Sequence, residues 1–133
     1  MPTNCLDEKR LKHYFAVQYT KDGRQYPFLN CWGLICEFYR RELDITLSLF
    51  SGYGPKTMTA GYKIAVSDFI PVDSPEFGDV VAFFTQEGIL YHVGVMLSPD
   101  RFLHSDYRHN TQITPLSFMH NHHKIFRHRS RLC

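Results

Sequence analysis

Cys31 has the strongest claim to reactive chemistry in this sequence, because of its place in FLNCWGLICEFYR (28–40). Asn30 is a good helix N-cap, since its side-chain oxygen can accept from the unpaired amides of a first turn, and Cys31 would then be the first helical residue. The partial positive charge of a helix start favours a thiolate and can lower a cysteine pKa from about 8.5 toward 7 or below. This position indicates a nucleophile, although a buried core thiol fits the same spacing.

Two histidines fall inside consecutive apolar runs, His92 in YHVGVML and His104 in RFLHS. If residues 98–100 form the connecting turn, the hairpin register brings the two β-carbons within roughly 5–8 Å, so that one imidazole can orient the other. Cysteine catalysis needs an ionised sulphur, a base that takes and returns a proton, and a polar group that fixes the tautomer of the base. Cys31, His92 and His104 are predicted to fill these roles in that order.

The elements that position these residues follow from the apolar periodicity. Residues 7–19 favour a short helix, a turn follows at 21–23, and a helix of three to four turns begins after Asn30. Residues 51–76 are predicted to be a connector with one short helix or extended piece. Five β-rich runs follow, namely DVVAFF, ILYHVGVML, RFLHS, QITPL and KIFRH. Helices followed by strands predict an α+β fold, with the helix of Cys31 packed on an antiparallel sheet.

The composition is that of a folded globular protein. The 133 residues suit one domain over 1–133, and 44% apolar with 21% charged residues argues against disorder. Neither a signal-peptide apolar region nor a run of about 18 apolar residues occurs, so a soluble chain is expected. The cysteines lack metal-ligand spacing, which predicts free thiols in a reducing compartment. They are Cys5, Cys31, Cys36 and Cys133.

Four motifs in order resemble those of the NlpC/P60 cysteine peptidases, a papain-like group that mostly cleaves peptidoglycan stem peptides. NCWGLI (30–35) is similar to the family's [DN]-C-x-G-[LF]-[VI] pattern around the nucleophile. FGDVVAFF (77–84) resembles its Gly-Asp before a strand, HVGV (92–95) its catalytic histidine strand, and FLHS (102–105) the strand of its third polar residue. QYTKDG (18–23) supplies a tyrosine twelve residues before the cysteine, as the family commonly does.

The resemblance implies an activity as well as a fold. Cys31 would form a thioester during hydrolysis of an amide bond in a peptidoglycan stem peptide, His92 would be the base and then the acid, and His104 would hold His92. Tyr19 with the amide of Cys31 would stabilise the oxyanion. No cofactor is expected. The matching motifs run from Tyr19 to His104, nearly two-thirds of the chain.

Three positions depart from the family pattern. Asn30 replaces the commoner aspartate, Asp22 stands where a glycine usually precedes Gly23, and Trp32 replaces the usual serine after the cysteine. The resulting CWGL resembles the branch of the family that tailed bacteriophages encode as tail-tip or tail-assembly peptidases.

A virion location is expected from that branch, after synthesis in the host cytoplasm and with other tail-tip proteins as partners. The basic stretch Lys124–Arg131 is the expected docking surface. Two alternatives remain open. The chain could be a tail-tip structural subunit that keeps the fold without activity, or a peptidoglycan amidase toxin delivered by a secretion machine.

The C-terminal histidines and arginines suggest two further classes of function, which the sequence disfavours. A metal site at His120, His122, His123 and His128 lacks a carboxylate or cysteine at structural-site spacing, so no metal is expected. Nucleic-acid binding would require aromatic residues interleaved with basic ones on an exposed face, whereas these aromatics have the spacing of a core. Neither a nucleic-acid partner nor a membrane span is therefore expected.

Overall fold

Two helices and a small sheet form the N-terminal part of the fold. The structure is a computed structural model that describes residues 6–47, 68–119 and 122–132. In chain order, the elements of the first range are α1 (Glu8–Phe15), β1 (Gln18–Tyr19), β2 (Arg24–Gln25), β3 (Phe28–Leu29) and α2 (Cys31–Phe38), followed by a π-helical segment (Tyr39–Leu43). Strand β3 lies between the other two, parallel to β1 and antiparallel to β2.

A six-stranded antiparallel sheet forms the rest of the fold. Its strands are β4 (Phe69–Val72), β5 (Val80–Phe84), β6 (Leu90–Ser98), β7 (Arg101–Asp106), β8 (Asn110–Pro115) and β9 (His122–His128). They lie in the order β4-β9-β5-β6-β7-β8, and each neighbouring pair is antiparallel. The α+β class and the five predicted strands are confirmed.

Side-chain caps start both helices where the sequence predicts them. Asp7 accepts the N–H of Arg10 at 2.9 Å, and Asn30 accepts the N–H of Gly33 at 2.8 Å, so each cap satisfies an otherwise unpaired amide. The second helix and its π-helical segment end at Asp44, whose φ of 55° is left-handed and cannot continue the helix. The predicted length of three to four turns is confirmed.

Helix α2 is held against the sheet by its apolar face. Leu34, Ile35 and Phe38 are fully buried, and they share one core with Val93 and Val95 of β6. Burial of each such side chain contributes about 1.5–3 kcal/mol, so this face fixes the position of the helix start. The opposite face of the sheet carries a second apolar cluster, formed by Val81, Phe83, Met96, Phe102 and Ile125.

Most of the basic C-terminal stretch forms a strand inside the sheet, and its role as a docking surface stays a prediction. Strand β9 lies between β4 and β5. Arg127 donates from Nε and Nη2 to the carboxylate of Asp79, at 2.9 and 2.8 Å, and Arg131 approaches the same carboxylate at 3.6 Å. Asp79 is fully buried. These two arginines therefore neutralise an internal charge, which their spacing in the sequence did not reveal.

The Gly-Asp pair before β5 has a structural explanation. Gly78 has a φ of 89°, and a β-carbon there would lie 2.6 Å from Nη1 of Arg131. Its carbonyl accepts the hydroxyl of Tyr39, so the end of the second helix is bonded to the start of the strand. Glycine at this position permits both the left-handed backbone and the close approach of the arginine.

Part of the predicted connector, residues 51–76, forms a strand. Strand β4 is the extended piece expected within residues 51–76, whereas residues 51–67 lie outside the described residues, as do Cys5, Cys133 and His120. No helix in the described ranges is long and apolar enough to span a membrane.

Candidate active site

The two predicted histidines meet on neighbouring strands. Val95 pairs with Leu103, which is the register expected from a turn at 98–100. Nε2 of His92 and Nδ1 of His104 are 2.7 Å apart, which is hydrogen-bond distance. The prediction that one imidazole orients the other is therefore matched by the geometry.

Gly94 makes room for this pair between the two histidine-bearing strands. A β-carbon on Gly94 would lie 2.7 Å from Cδ2 of Phe102 and 3.3 Å from the β-carbon of His104. The glycine of HVGV thus allows β7 to bring its buried side chains close to β6. The apolar walls are aromatic, since Phe83 stacks on His92 with ring centroids 6.0 Å apart and Phe102 lies 4.5 Å from His104.

Cys31 occupies the first position of α2, as predicted, and its thiol lies against the histidine strand. The side chain is 3% exposed. The backbone N–H of Val93, the residue after His92, donates toward the sulphur, as do those of Trp32 and Cys31 itself. The packing of α2 on β6 therefore brings the thiol to the strand position that follows His92.

The prediction that the helix start lowers the Cys31 pKa is wrong for this buried thiol. Burial raises the pKa of Cys31 to about 11, and it outweighs the lowering effect of the three backbone N–H groups. Loss of solvent penalises the thiolate more than a few amide dipoles stabilise it. Cys36, in the middle of α2, has no such donors, and burial raises its pKa to about 12.

Both histidines are neutral at ordinary pH. Burial lowers the pKa of His92 to about 4, with the Asp106 carboxylate opposing the effect. Burial and, to a smaller extent, the neighbouring His92 together lower the pKa of His104 to about 3. The resting site therefore holds a neutral thiol and two neutral imidazoles, without a preformed thiolate–imidazolium pair.

Thr114 extends the hydrogen-bonded pair to a third strand, and sequence reasoning missed it. Its Oγ1 lies 2.8 Å from Nε2 of His104. Gln112 pairs with His104 across β7 and β8, so Thr114, two residues further along, lies on the same face. Extending the hairpin argument from the second strand to the third would have found this residue.

An open cleft of about 480 Å³ lies at the histidine pair. Its lining includes Tyr91, His92, His104, Asp106, Gln112 and Thr114. The Asp106 carboxylate accepts the N–H groups of Arg108 and His109, each at 2.9 Å. Burial alone would raise the Asp106 pKa, but these two bonds contribute to lowering it overall, so an ionised carboxylate stands beside the two imidazoles.

Tyr19 lies at the turn end of the hairpin that carries His104. Its backbone N–H donates to Oδ1 of Asn110 at 2.9 Å. Asn110 begins β8 and has a φ of 53°, a left-handed conformation that asparagine tolerates better than most residues. The predicted role of the Tyr19 hydroxyl stays a prediction.

The C-terminal histidines have structural neighbours. His128 lies edge-on to Phe69, and its Nδ1 is 2.8 Å from the Ser130 hydroxyl. The centroid of the His123 ring lies 6.1 Å from that of Phe83. Within the described ranges, no group of three histidine, cysteine or acidic side chains is placed to hold a metal ion.

Three solved structures are similar to this chain in fold. NlpC1 from Trichomonas vaginalis gives a TM-score of 0.68 at 15% identity, covering 90% of this chain and 41% of that one. NlpC2 from the same organism gives 0.66 at 16%, covering 90% and 44%. The NlpC/p60 domain of the peptidoglycan hydrolase SagA gives 0.59 at 16%, covering 88% and 92%. This chain thus spans less than half the length of the two Trichomonas proteins.

The family assignment comes from the sequence pattern as a whole. No curated protein matches the chain. The NlpC/P60 family model, however, matches residues 16–130, which contain the capped helix start, both histidine strands and Thr114. This chain belongs to the NlpC/P60 family.

Proposed function

We propose that the chain is a cysteine peptidase that hydrolyses amide bonds in peptidoglycan stem peptides, with Cys31, His92 and His104 as its triad. The observation that carries this proposal is the 2.7 Å bond between the two histidines, with the N–H of Val93, the residue after His92, donating toward the helix-start thiol. Family membership supports the substrate class, as does the fold likeness to a domain of a protein named as a peptidoglycan hydrolase.

The first step is attack by the Cys31 sulphur on the carbonyl carbon of the substrate. Because the thiol and His92 are both neutral at rest, the thiol proton moves to Nδ1 of His92 as the S–C bond forms. Nε2–H of His92 donates meanwhile to Nδ1 of His104, which holds the ring and stabilises the imidazolium. The carbonyl oxygen becomes an oxyanion.

The start of α2 supplies donors for that oxyanion. Asn30 takes up the third and fourth amides of the helix, since its side chain accepts from Gly33 and its carbonyl from Leu34. The amides of Cys31 and Trp32 point toward the sulphur, where the oxyanion forms. We assign these amides, with the hydroxyl of Tyr19, to oxyanion stabilisation.

Collapse of the tetrahedral intermediate breaks the C–N bond. The leaving amine receives the proton from His92, and a thioester remains on Cys31. His92, neutral again, takes a proton from water as the water oxygen attacks the thioester. Breakage of the C–S bond then yields a carboxylic acid, and the proton on His92 returns to the sulphur.

Digestion of purified sacculi tests the proposal. The wild type should release new amino termini and carboxyl ends, seen by muropeptide analysis, and Cys31→Ala should release none. Cys36→Ala is the matched control, because it removes the neighbouring thiol of the same helix and should leave the products unchanged. Equal release by the wild type and Cys31→Ala would remove Cys31 from the mechanism.

One observation favours a second candidate function, a scaffold without activity. The Cys31 thiol is 3% exposed and its pKa is raised to about 11, as in an inert core cysteine. A scaffold would bind its partners or sacculi equally well as wild type and as Cys31→Ala, and it would release no new termini between pH 5 and 9. Products from the wild type alone exclude the scaffold.

We propose a virion tail tip as the location, with other tail-tip proteins as partners. Support comes from the likeness of CWGL, residues 31–34, to the bacteriophage branch of the family. Mass spectrometry of purified particles should detect the chain, and particles carrying Cys31→Ala should assemble normally yet penetrate the wall poorly. A protein found only free in the cytoplasm, or secreted as a toxin, would contradict this location.

A further inference from the structure

Three neighbouring strands carry one continuous hydrogen-bonded row. His92 on β6 is bonded to His104 on β7 at 2.7 Å, and His104 is bonded to Thr114 on β8 at 2.8 Å. We propose that Thr114 is a positioning residue that sets the tautomer of His104 and thereby leaves Nδ1 of His92 able to accept the proton of Cys31. This inference rests on the proposed peptidase function.

The row can run in two directions, and only one of them supports catalysis. A neutral imidazole carries a single N–H. If His92 donates from Nε2, its Nδ1 is bare, His104 accepts at Nδ1, and His104 donates from Nε2 to Thr114. If His104 donates from Nδ1 instead, His92 must accept at Nε2 and carry its proton on Nδ1. In that second direction His92 cannot act as the base toward Cys31.

Thr114 allows the first direction because its oxygen can accept from Nε2–H of His104. The residue lines the open cleft and is only partly buried, so its own hydroxyl proton can point to solvent. Threonine is β-branched and stiff at χ1, and on a strand paired with β7 its oxygen is held 2.8 Å from Nε2 of His104, diagonally across the two strands. The hydroxyl oxygen is therefore held where it can accept Nε2–H of His104.

When His92 is an imidazolium, His104 needs a hydrogen-bond acceptor for its Nε2–H. Once His92 has taken the thiol proton, both of its nitrogens carry hydrogen, and the row can run only from His92 through His104 to Thr114. Among the described residues, Phe83 and Phe102 pack on these rings and offer no oxygen acceptor, while the Asp106 carboxylate of the same cleft accepts the N–H groups of Arg108 and His109. Thr114 thus terminates the row in the state that precedes loss of the leaving amine.

Threonine-to-valine substitutions at two positions of β8 separate this role from packing. Thr114→Val keeps the shape and removes the acceptor, and Thr114→Ser keeps the acceptor. Thr111→Val is the matched control, because Thr111 is 8% exposed and its hydroxyl has no hydrogen-bond partner among the described residues. Thr114→Ala serves as a second loss variant in case valine perturbs folding.

Nitrogen NMR of the histidine rings gives a readout that does not depend on activity. His104 should be protonated at Nε2 in the wild type, Thr114→Ser and Thr111→Val, and should shift toward Nδ1–H or a mixture in Thr114→Val and Thr114→Ala. With a stem-peptide substrate, both loss variants should lower kcat about 10-fold or more with KM changed less than about 2-fold, because a wrong histidine tautomer slows proton transfer rather than binding.

The outcomes distinguish the two proposals. An unchanged His104 tautomer in the loss variants, or an unchanged kcat, would overturn the role of Thr114. If the tautomers shift as expected but even the wild type cleaves no peptide, the peptidase function fails while the hydrogen-bonded positioning of the histidines stands. Rescue of both readouts by Thr114→Ser, with Thr111→Val like the wild type, is the expected result.

Discussion

His92 and His104 are bonded to each other through ring nitrogens 2.7 Å apart while burial holds both rings neutral. Two neutral imidazoles can share one hydrogen bond with a donor on one ring and an acceptor on the other, whereas two imidazolium rings have no acceptor. The hydrogen bond between His92 and His104 therefore requires that the rings are not both protonated, and the burial that lowers their two pKa values ensures this.

Stability is expected to fall as the pH falls below about 6.5. The folded pKa values of His92 and His104 are about 4 and 3, and an unfolded histidine has a pKa of about 6.5. Above pH 6.5 the rings are neutral in both states, and their stabilising effect is fully present. Below it the unfolded chain binds protons that the folded chain does not, at a cost of at most about 1.4 kcal/mol per pH unit for each histidine.

Urea unfolding between pH 7.5 and 5 measures this loss, in a range above the titration of most carboxyls. The double variant His92→Gln/His104→Gln should show a much flatter dependence, with the remainder due in part to His128, whose pKa burial also lowers. A wild type whose unfolding free energy is constant from pH 7.5 to 5 would show that the two rings are not buried as neutral groups.

The Cys31 thiol is expected to react slowly near neutral pH in the absence of substrate. With a pKa of about 11, about one molecule in 10,000 carries the thiolate at pH 7. The iodoacetamide labelling rate at Cys31, followed by mass spectrometry in Cys36→Ala protein, should rise about 10-fold per pH unit up to pH 10. A rate that levels off by pH 8 would show that the helix start and backbone donors outweigh burial.

The sequence predicted those parts of the site that depend on residues close together in the chain. The Asn30 cap and the start of α2 were predictable because capping is local, and the histidine register followed from a short turn between two apolar runs. The Cys31 pKa was not predictable, because its raised value comes from burial between a helix and a sheet that are distant in sequence. A helix-start dipole can be inferred from the sequence, whereas solvent exclusion requires the packed fold.

Arg127 and Thr114 were missed because each bonds a side chain on or next to another strand of the sheet, whose alignment was not worked out from the sequence. The run KIFRH was correctly predicted as a strand, yet its arginine was assigned to a docking surface because the buried Asp79 that it pairs with lies 48 residues away. Thr114 was missed because its link to His92 needs the β7–β8 register as well as the β6–β7 register. The strand of Thr114 was predicted, but its pairing with the strand of His104 was not worked out.

Arg127→Ala is expected to lower the free energy of unfolding by about 3 kcal/mol or more. The substitution leaves the fully buried Asp79 carboxylate without its two-bond partner, and an uncompensated buried charge is costly. Urea unfolding measures the change. Arg101→Ala, at an exposed site, should stay within about 0.5 kcal/mol of the wild type.

The pairing itself is tested by Asp79→Asn combined with Arg127→Ala, which removes both charges. This double variant should be more stable than Arg127→Ala alone, because the neutral amide no longer carries the desolvation cost of a carboxylate. A single variant that loses less than about 1 kcal/mol would mean that Arg131, 3.6 Å from the carboxylate, suffices to neutralise it.

Tyr19 is expected to contribute to rate through its hydroxyl and to be placed by Asn110. Tyr19→Phe should lower kcat on a stem peptide about 10-fold to 100-fold with little change in unfolding free energy, as loss of one oxyanion donor does. Tyr26→Phe is a control, since the Tyr26 hydroxyl donates to the carbonyl of His13. If the Tyr19→Phe protein cleaves the stem peptide as fast as the wild type, the Tyr19 hydroxyl is not an oxyanion donor, and the backbone amides at the start of α2 are the donors on their own.

The placement of Tyr19 by Asn110 is tested at Asn110 itself. Asn110→Gly keeps the left-handed backbone accessible but removes the acceptor for the Tyr19 N–H, so kcat should fall several-fold. Asn110→Asp retains an acceptor oxygen, and its kcat should stay near that of the wild type.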